Sequence, residues 1–159
     1  MKMKIDCCAD LHGYYPKLDG GDLLIIAGDL TKRDRLDEYE AFDEWLRNQQ
    51  YRKKVVVAGN HDTLFDGARS HPDYVGIDGK SFFDSSRKYG VTYLEDSGVE
   101  IEGLKIWESP WTPFFADWAF MKPDEELEER WQHIPRDTDI LVTHGGPYGI
   151  LDKTGDMYG

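Results

Sequence analysis

Two uninterrupted apolar runs, Leu23-Leu24-Ile25-Ile26-Ala27 and Val55-Val56-Val57-Ala58, stand on either side of an amphipathic stretch. A strand without polar alternation has to be covered on both faces, which is the habit of parallel sheets. Between the two runs, over residues 35–50, Leu36, Tyr39, Phe42, Trp45, Leu46 and Gln49 recur at three- and four-residue spacing. Asp37, Glu40, Asp43, Glu44 and Arg47 fall on the other side, so the spacing predicts a helix with one buried and one solvated face. Strand, helix, strand with short connections is a parallel crossover unit, and an α/β fold follows.

The remaining pattern extends that unit. Residues 3–8, 91–94 and 140–143 read as further strands, and 99–102 with 104–107, broken at Gly103, as a hairpin. A helix is expected over 81–89, ending at Gly90, and a short one after Pro123 with Asp124-Glu125-Glu126 in its exposed first turn. Residues 62–80 read as a long excursion at the mouth of a site, and 109–120 as an aromatic loop. No repeat, linker or second domain interrupts the pattern, so 1–159 is expected to form one domain.

Hydrophobic residues make up 40% of the chain and aromatics 13%, too many for a disordered segment. No apolar run approaches the roughly 20 residues of a membrane span. Met1-Lys2-Met3-Lys4 leads directly into a strand, so neither a membrane nor a secretory signal is expected. Cys7 and Cys8 are adjacent, which suits neither a disulfide nor a C-x-x-C pair; packing within the first strand is their expected role. A reduced, cytoplasmic setting is the expectation. The net charge of −12 opposes an extended nucleic-acid groove, although bound divalent cations would reverse the sign locally for a small phosphoester.

Chemistry enters at the ends of the strands. Asp10-Leu11-His12, Gly28-Asp29, Gly59-Asn60-His61-Asp62 and Thr143-His144-Gly145-Gly146 each follow an apolar run. Singly, each has an ordinary explanation as a cap, a turn or a surface histidine. Together they deliver oxygen and imidazole donors to what is expected to be one edge of one sheet, where α/β folds build their sites. That donor set fits a hydrolytic metal centre.

The clusters resemble the calcineurin-like metallophosphoesterases, whose blocks are D-x-H, G-D, G-N-H-D/E, a strand-end histidine and a final G-H-x-H. Gly28-Asp29-Leu30-Thr31, the stretch from Ser109-Pro110-Trp111 to Asp117-Trp118-Ala119-Phe120, and Ile134-Pro135 through His144-Gly145 are similar to the metallophosphoesterase domain-containing (MPPED) branch. The resemblance implies an αββα sandwich, C-terminally shortened, and a metal-dependent phosphoesterase acting on phosphodiesters, with cyclic nucleotides among its candidate substrates. It implies two divalent ions, manganese first, with iron, zinc or magnesium as alternatives. One ion would take Asp10, His12 and Asp29; the other would share Asp29 as a bridge and add Asn60 and His144. A hydroxide bridging the ions would attack phosphorus, and His61 would be the general acid for the departing oxygen. Asp62 would orient its neighbours rather than bind metal.

The final G-H-x-H has no counterpart here, and His71 and His133 are weak substitutes for it. Weakened metal binding follows, together with a competing reading: a truncated, weakly active or inactive metallophosphoesterase-fold protein acting as a binding or self-associating module. Loss of the last strands would expose a sheet edge, so a homodimer pairing those edges is expected. Asp34 stands where the branch often has glycine. Most rings of the aromatic stretch are expected to pack the loop onto the sheet, with Trp111 the one nearest substrate.

Overall fold

The structure, a computed structural model, describes residues 2–67, 69, 74–147 and 149–150. Strand β1 (Ile5–Cys8) lies beside β2 (Gly21–Ala27), the centre of the first sheet, where Leu23 through Ile26 are all buried. Helix α1 (Leu36–Asn48) then carries the chain across to β3 (Tyr51–Val57), which pairs in parallel with β2 in the register Leu24↔Lys54 and Ile25↔Val55. β4 (Val91–Tyr93) completes the sheet in the order β1-β2-β3-β4, every pair parallel. The unalternating runs thus receive the two-sided burial that their composition requires.

The face of α1 is as expected at Tyr39, Phe42 and Leu46, all fully buried. Asp43 is the exception: expected on the solvated face, it is buried and accepts a hydrogen bond from the Ser86 hydroxyl at 2.5 Å. Arg47, one turn on, pairs with it at 3.2 Å. Residues 81–89 do not form one α-helix but 3-10 segments at Gly79–Ser81 and Asp84–Tyr89. Phe82 and Phe83 both turn toward the core, and neighbouring positions of a continuous α-helix do not share a face. Gly90 ends the second segment in the left-handed region, at φ 79°. The excursion after Asp62 begins by packing inward rather than lying open: Leu64 and Phe65 are buried, and Phe65 stacks on Phe83 and Tyr93.

The second sheet is built from β5 (Ser97–Ile101) and β6 (Leu104–Ser109), an antiparallel hairpin. Glu102 and Gly103 make its turn, both with positive φ (52° and 84°), as the twist of a two-residue connection demands. Within the aromatic loop, β7 (Thr112–Pro113) and β8 (Met121–Lys122) form a two-residue bridge that the sequence pattern does not signal. Helix α2 (Asp124–Trp131) follows and buries one residue, Leu127. Strand β9 (Ile140–Thr143) then adds in parallel to β6, giving the order β5-β6-β9.

Ile101, Ile106 and Val142 from the second sheet pack on Leu23, Ile25, Val55 and Val57 from the first. The opposite face of the first sheet is covered by Tyr39, Phe42 and Leu46 of α1. Layering is therefore helix, sheet, sheet, and the one buried residue of α2, Leu127, joins the cluster that holds Trp111 and Phe120. Cys8 packs against the core as expected, but Cys7, near the end of the edge strand β1, is exposed. Among the described residues, no helix is long and apolar enough to cross a membrane.

Candidate metal centre

Asp10 and His12 follow β1, Asp29 follows β2, and Asn60 and His61 follow β3, so three clusters meet at the C-terminal edge of one sheet. The fourth does not share that sheet. His144 follows β9 of the second sheet, and the site lies between the two layers. The sheets pack face to face with β9 and β2 ending on the same side, which period and composition cannot reveal.

Asp29 is the hub. It is only 3% exposed, and its backbone adopts φ 54°. The Oδ1 atom lies 3.3 Å from His144 Nε2, while Oδ2 lies 3.4 Å from His12 Nε2 and 4.0 Å from His61 Nε2. The His61 backbone N–H donates to Oδ1 at 3.0 Å. Ligand atoms of His12, Asp29 and His61 lie within 4.8 Å of one another, as do those of Asp10, Asp29 and His144. Asn60 joins the second group, with its Oδ1 2.9 Å from His144 Nε2.

This grouping redraws the partition implied by the resemblance. Asp29 is shared in both schemes. Asp10, however, stands with His144 rather than with His12, and His61 stands beside His12, their rings 4.9 Å apart.

The donor set fits a cation. His144 Nδ1 donates to the Ala27 carbonyl oxygen at 3.0 Å, because a carbonyl can only accept. In a neutral imidazole that leaves Nε2 as the lone-pair atom, and it faces the Asn60 and Asp29 oxygens. Three lone-pair donors thus converge, an arrangement a cation relieves. His12 is oriented in the same way, its Nδ1 lying 3.3 Å from the Thr31 carbonyl oxygen. Glycine is required on both sides of this cradle. A Cβ on Gly28 would sit 2.3 Å from His144 Nδ1, and one on Gly59 would sit 2.3 Å from Asp29 Oδ1.

Backbone strain accompanies the site. Asp10 (φ 52°), His12 (φ 44°) and Asp29 (φ 54°) all occupy the left-handed region, which Asp and His tolerate better than most residues. Backbone bonds hold them there: Asp10 N–H to the Gly28 carbonyl at 3.1 Å and His12 N–H to the Asp29 carbonyl at 2.9 Å. Asp62 has the orienting role expected of it. Fully buried, it accepts from Leu30 N–H at 3.0 Å and Gly59 N–H at 2.8 Å, tying two site loops together. Burial pushes its carboxyl well above the usual range, and those N–H groups offset part of the rise. Asp34, at φ 54°, accepts from the Tyr39 hydroxyl at 2.5 Å and Thr63 N–H at 3.1 Å, so the position that favours glycine is used for bracing.

Trp111 is not at the site. It is 7% exposed, its indole N–H donates to Asp96 at 2.8 Å, and the Arg130 guanidinium lies over its ring at 3.9 Å. The ring at the site is Trp118, whose centroid is 4.3 Å from that of His61. His133 is exposed at the end of α2 and belongs to neither donor group; His71 lies outside the described residues.

Residues 3–158 match the Calcineurin-like phosphoesterase family, and the chain belongs to it. Within that family it sits among the metallophosphoesterase domain-containing proteins. It is 37% identical to human metallophosphoesterase domain-containing protein 1, over 92% of this chain and 49% of that protein. A UPF0046 protein of Caenorhabditis elegans is 34% identical over 97% of this chain and 54% of its own length. The chain spans about half the length of these relatives. The solved phosphopantetheinyl hydrolase of Mycobacterium tuberculosis aligns with 93% of this chain and 57% of its own, at 22% identity and a TM-score of 0.40, too distant to add to the assignment.

Proposed function

We propose that this chain is a metal-dependent hydrolase of small phosphodiesters, with cyclic nucleotides among its substrates. The observation that carries the reading is the buried Asp29 carboxylate, whose two oxygens each face a different set of imidazole donors. One carboxylate offering an oxygen to each of two neighbouring cations is the arrangement a two-metal phosphoester site needs. Asp10, His12, Asp29, Asn60 and His144 would hold the ions, manganese first, and bound cations would neutralise phosphoryl oxygens and activate water.

The chain's own groups supply the rest. Asp29 sets the spacing between donor sets, and the Ala27 and Thr31 carbonyls hold His144 and His12 in the ligating tautomer. His61 has its backbone N–H anchored on Asp29 and is half-buried, so its ring can hand a proton to the departing alkoxide at the rim. Gly28 and Gly59 let the His144 ring and the Asp29 carboxylate lie directly against the backbone, as the donor set requires. The net charge of −12 disfavours a long polyanion and suits a small ester in a cytoplasmic setting.

Metal content after manganese loading and dialysis, together with turnover of bis(p-nitrophenyl) phosphate, tests this reading. Bound metal and turnover are expected, both lost in Asp29→Ala. Metal bound without turnover would favour the binding-module reading, and absence of metal uptake would overturn the site itself.

A further inference from the structure

We propose that Trp118 and Phe115 form a stacking platform for a planar aromatic ring carried on the leaving side of the phosphoester, making Trp118 a specificity-determining residue. The inference rests on the phosphoesterase reading above. Its starting point is a division within the aromatic stretch. Trp111 and Phe120 are 7% and 0% exposed and account for packing of the loop. Trp118 and Phe115 do not: they are 40% and 60% exposed, in contact with each other at 5.6 Å between centroids. Two large rings left in water cost hydration free energy, and these two lie beside the donor groups rather than on a remote face.

Their placement is specific. The Trp118 ring lies 4.3 Å from that of His61, which in turn stands 4.9 Å from His12. An alcohol receiving its proton from His61 would therefore carry its substituent along the Trp118 face. A flat π-system is what an indole flanked by a phenyl ring takes best, because face contact needs no hydrogen-bond match and tolerates any planar ring.

The platform is also held still. Ala119 N–H donates to the Asn60 carbonyl at 3.0 Å, and Phe120 N–H to Asp66 at 3.1 Å, tying the loop to the His61 segment. Arg69 clamps the other side, at 2.8 Å to the Asp117 carboxylate and 3.2 Å to its carbonyl. A ring pinned at both flanks binds without first having to be ordered.

Two matched pairs of probes test the proposal on manganese-loaded protein by calorimetric titration. Phenylphosphonate and cyclohexylphosphonate share a non-hydrolysable head and differ in planarity. Adenosine 5′-phosphate and ribose 5-phosphate differ by a base. The planar member of at least one pair should bind about tenfold tighter, a preference abolished by Trp118→Ala and largely kept by Trp118→Phe, with metal content equal in all three proteins. Preference in the nucleotide pair identifies a nucleobase; preference confined to the phosphonates identifies a directly attached aryl group. No preference in the wild type, or one that survives Trp118→Ala, overturns the platform and leaves the phosphoesterase reading standing. If no probe binds in a metal-dependent way, that reading falls and the platform with it.

Discussion

Single residues in this protein are constrained most where no side chain exists. Gly59 has no room for a Cβ, which would meet Asp29 Oδ1 at 2.3 Å and Asp29 N at 2.5 Å. Gly59→Ala should therefore lose manganese uptake and about 1–3 kcal/mol of stability, read by metal analysis and urea denaturation. Glu108 presents the opposite problem. It is fully buried in β6, and neither of its carboxyl oxygens has a hydrogen-bond partner. Burial, then the like charges of Asp96 and Glu95, push its pKa well above the usual value; the nearby Asp96 backbone N–H opposes the rise without making a hydrogen bond. A carboxyl raised in the folded state keeps its proton there while the unfolded chain loses one above about pH 4.3. Its contribution to stability is therefore complete below that pH and is lost as pH rises toward the folded value. Glu108→Gln should flatten that decline and be more stable than the wild type at pH 8. Parallel stability profiles over pH 4–9 would refute this account.

At the scale of elements, the β5–β6 hairpin offers a clean test of turn chemistry. Glu102 holds φ 52° immediately before Gly103 at φ 84°, conformations for which Asn-Gly is the favoured pair. Glu102 also pairs with Arg52 at 2.9 Å, but that bridge is exposed and contributes little. Glu102→Asn should stabilise the protein by about 0.5 kcal/mol, whereas Gly103→Ala should destabilise it by about 1 kcal/mol, both seen in the midpoint of urea unfolding. Elements were legible in the sequence to the extent that local pattern decides them. The runs at 23–27 and 55–58 announced buried strands, and Leu36 to Gln49 announced α1. The segment 81–89 departs from the α-helix its pattern predicts because Phe82 and Phe83 both find partners in a core assembled from distant residues, and that demand overrides the local preference for α winding. Asp43 looked solvated for the same reason: Ser86, its buried partner, is 43 positions away.

Over the whole molecule, stability and site are coupled through the ions. Anything that binds the folded state alone raises its melting temperature by mass action, so manganese should stabilise the protein and EDTA should reverse the effect. Asp29→Ala should melt at one temperature with or without metal. The second sheet bears on association. Among the described residues β9 is an edge strand, and its Leu141 is 49% exposed. We propose that two copies pair along this edge. Light scattering at high protein concentration should then report a dimer that Leu141→Lys returns to monomer, since an edge lysine discourages strand addition. A monodisperse wild-type monomer would refute the pairing.

Sequence by itself determined that this chain is an α/β protein built on a parallel crossover unit, that it belongs with the calcineurin-like phosphoesterases, and which side chains stand at its strand ends. These follow from hydrophobic period and from short motifs, both of which are local. Tertiary structure alone decided that His144 arrives from a second sheet, that Asp10 stands with His144 and His61 with His12, and that Trp118 rather than Trp111 lines the site. Each of those outcomes depends on how one layer is stacked on another, through contacts between residues far apart in the chain, and no spacing within a single segment encodes them.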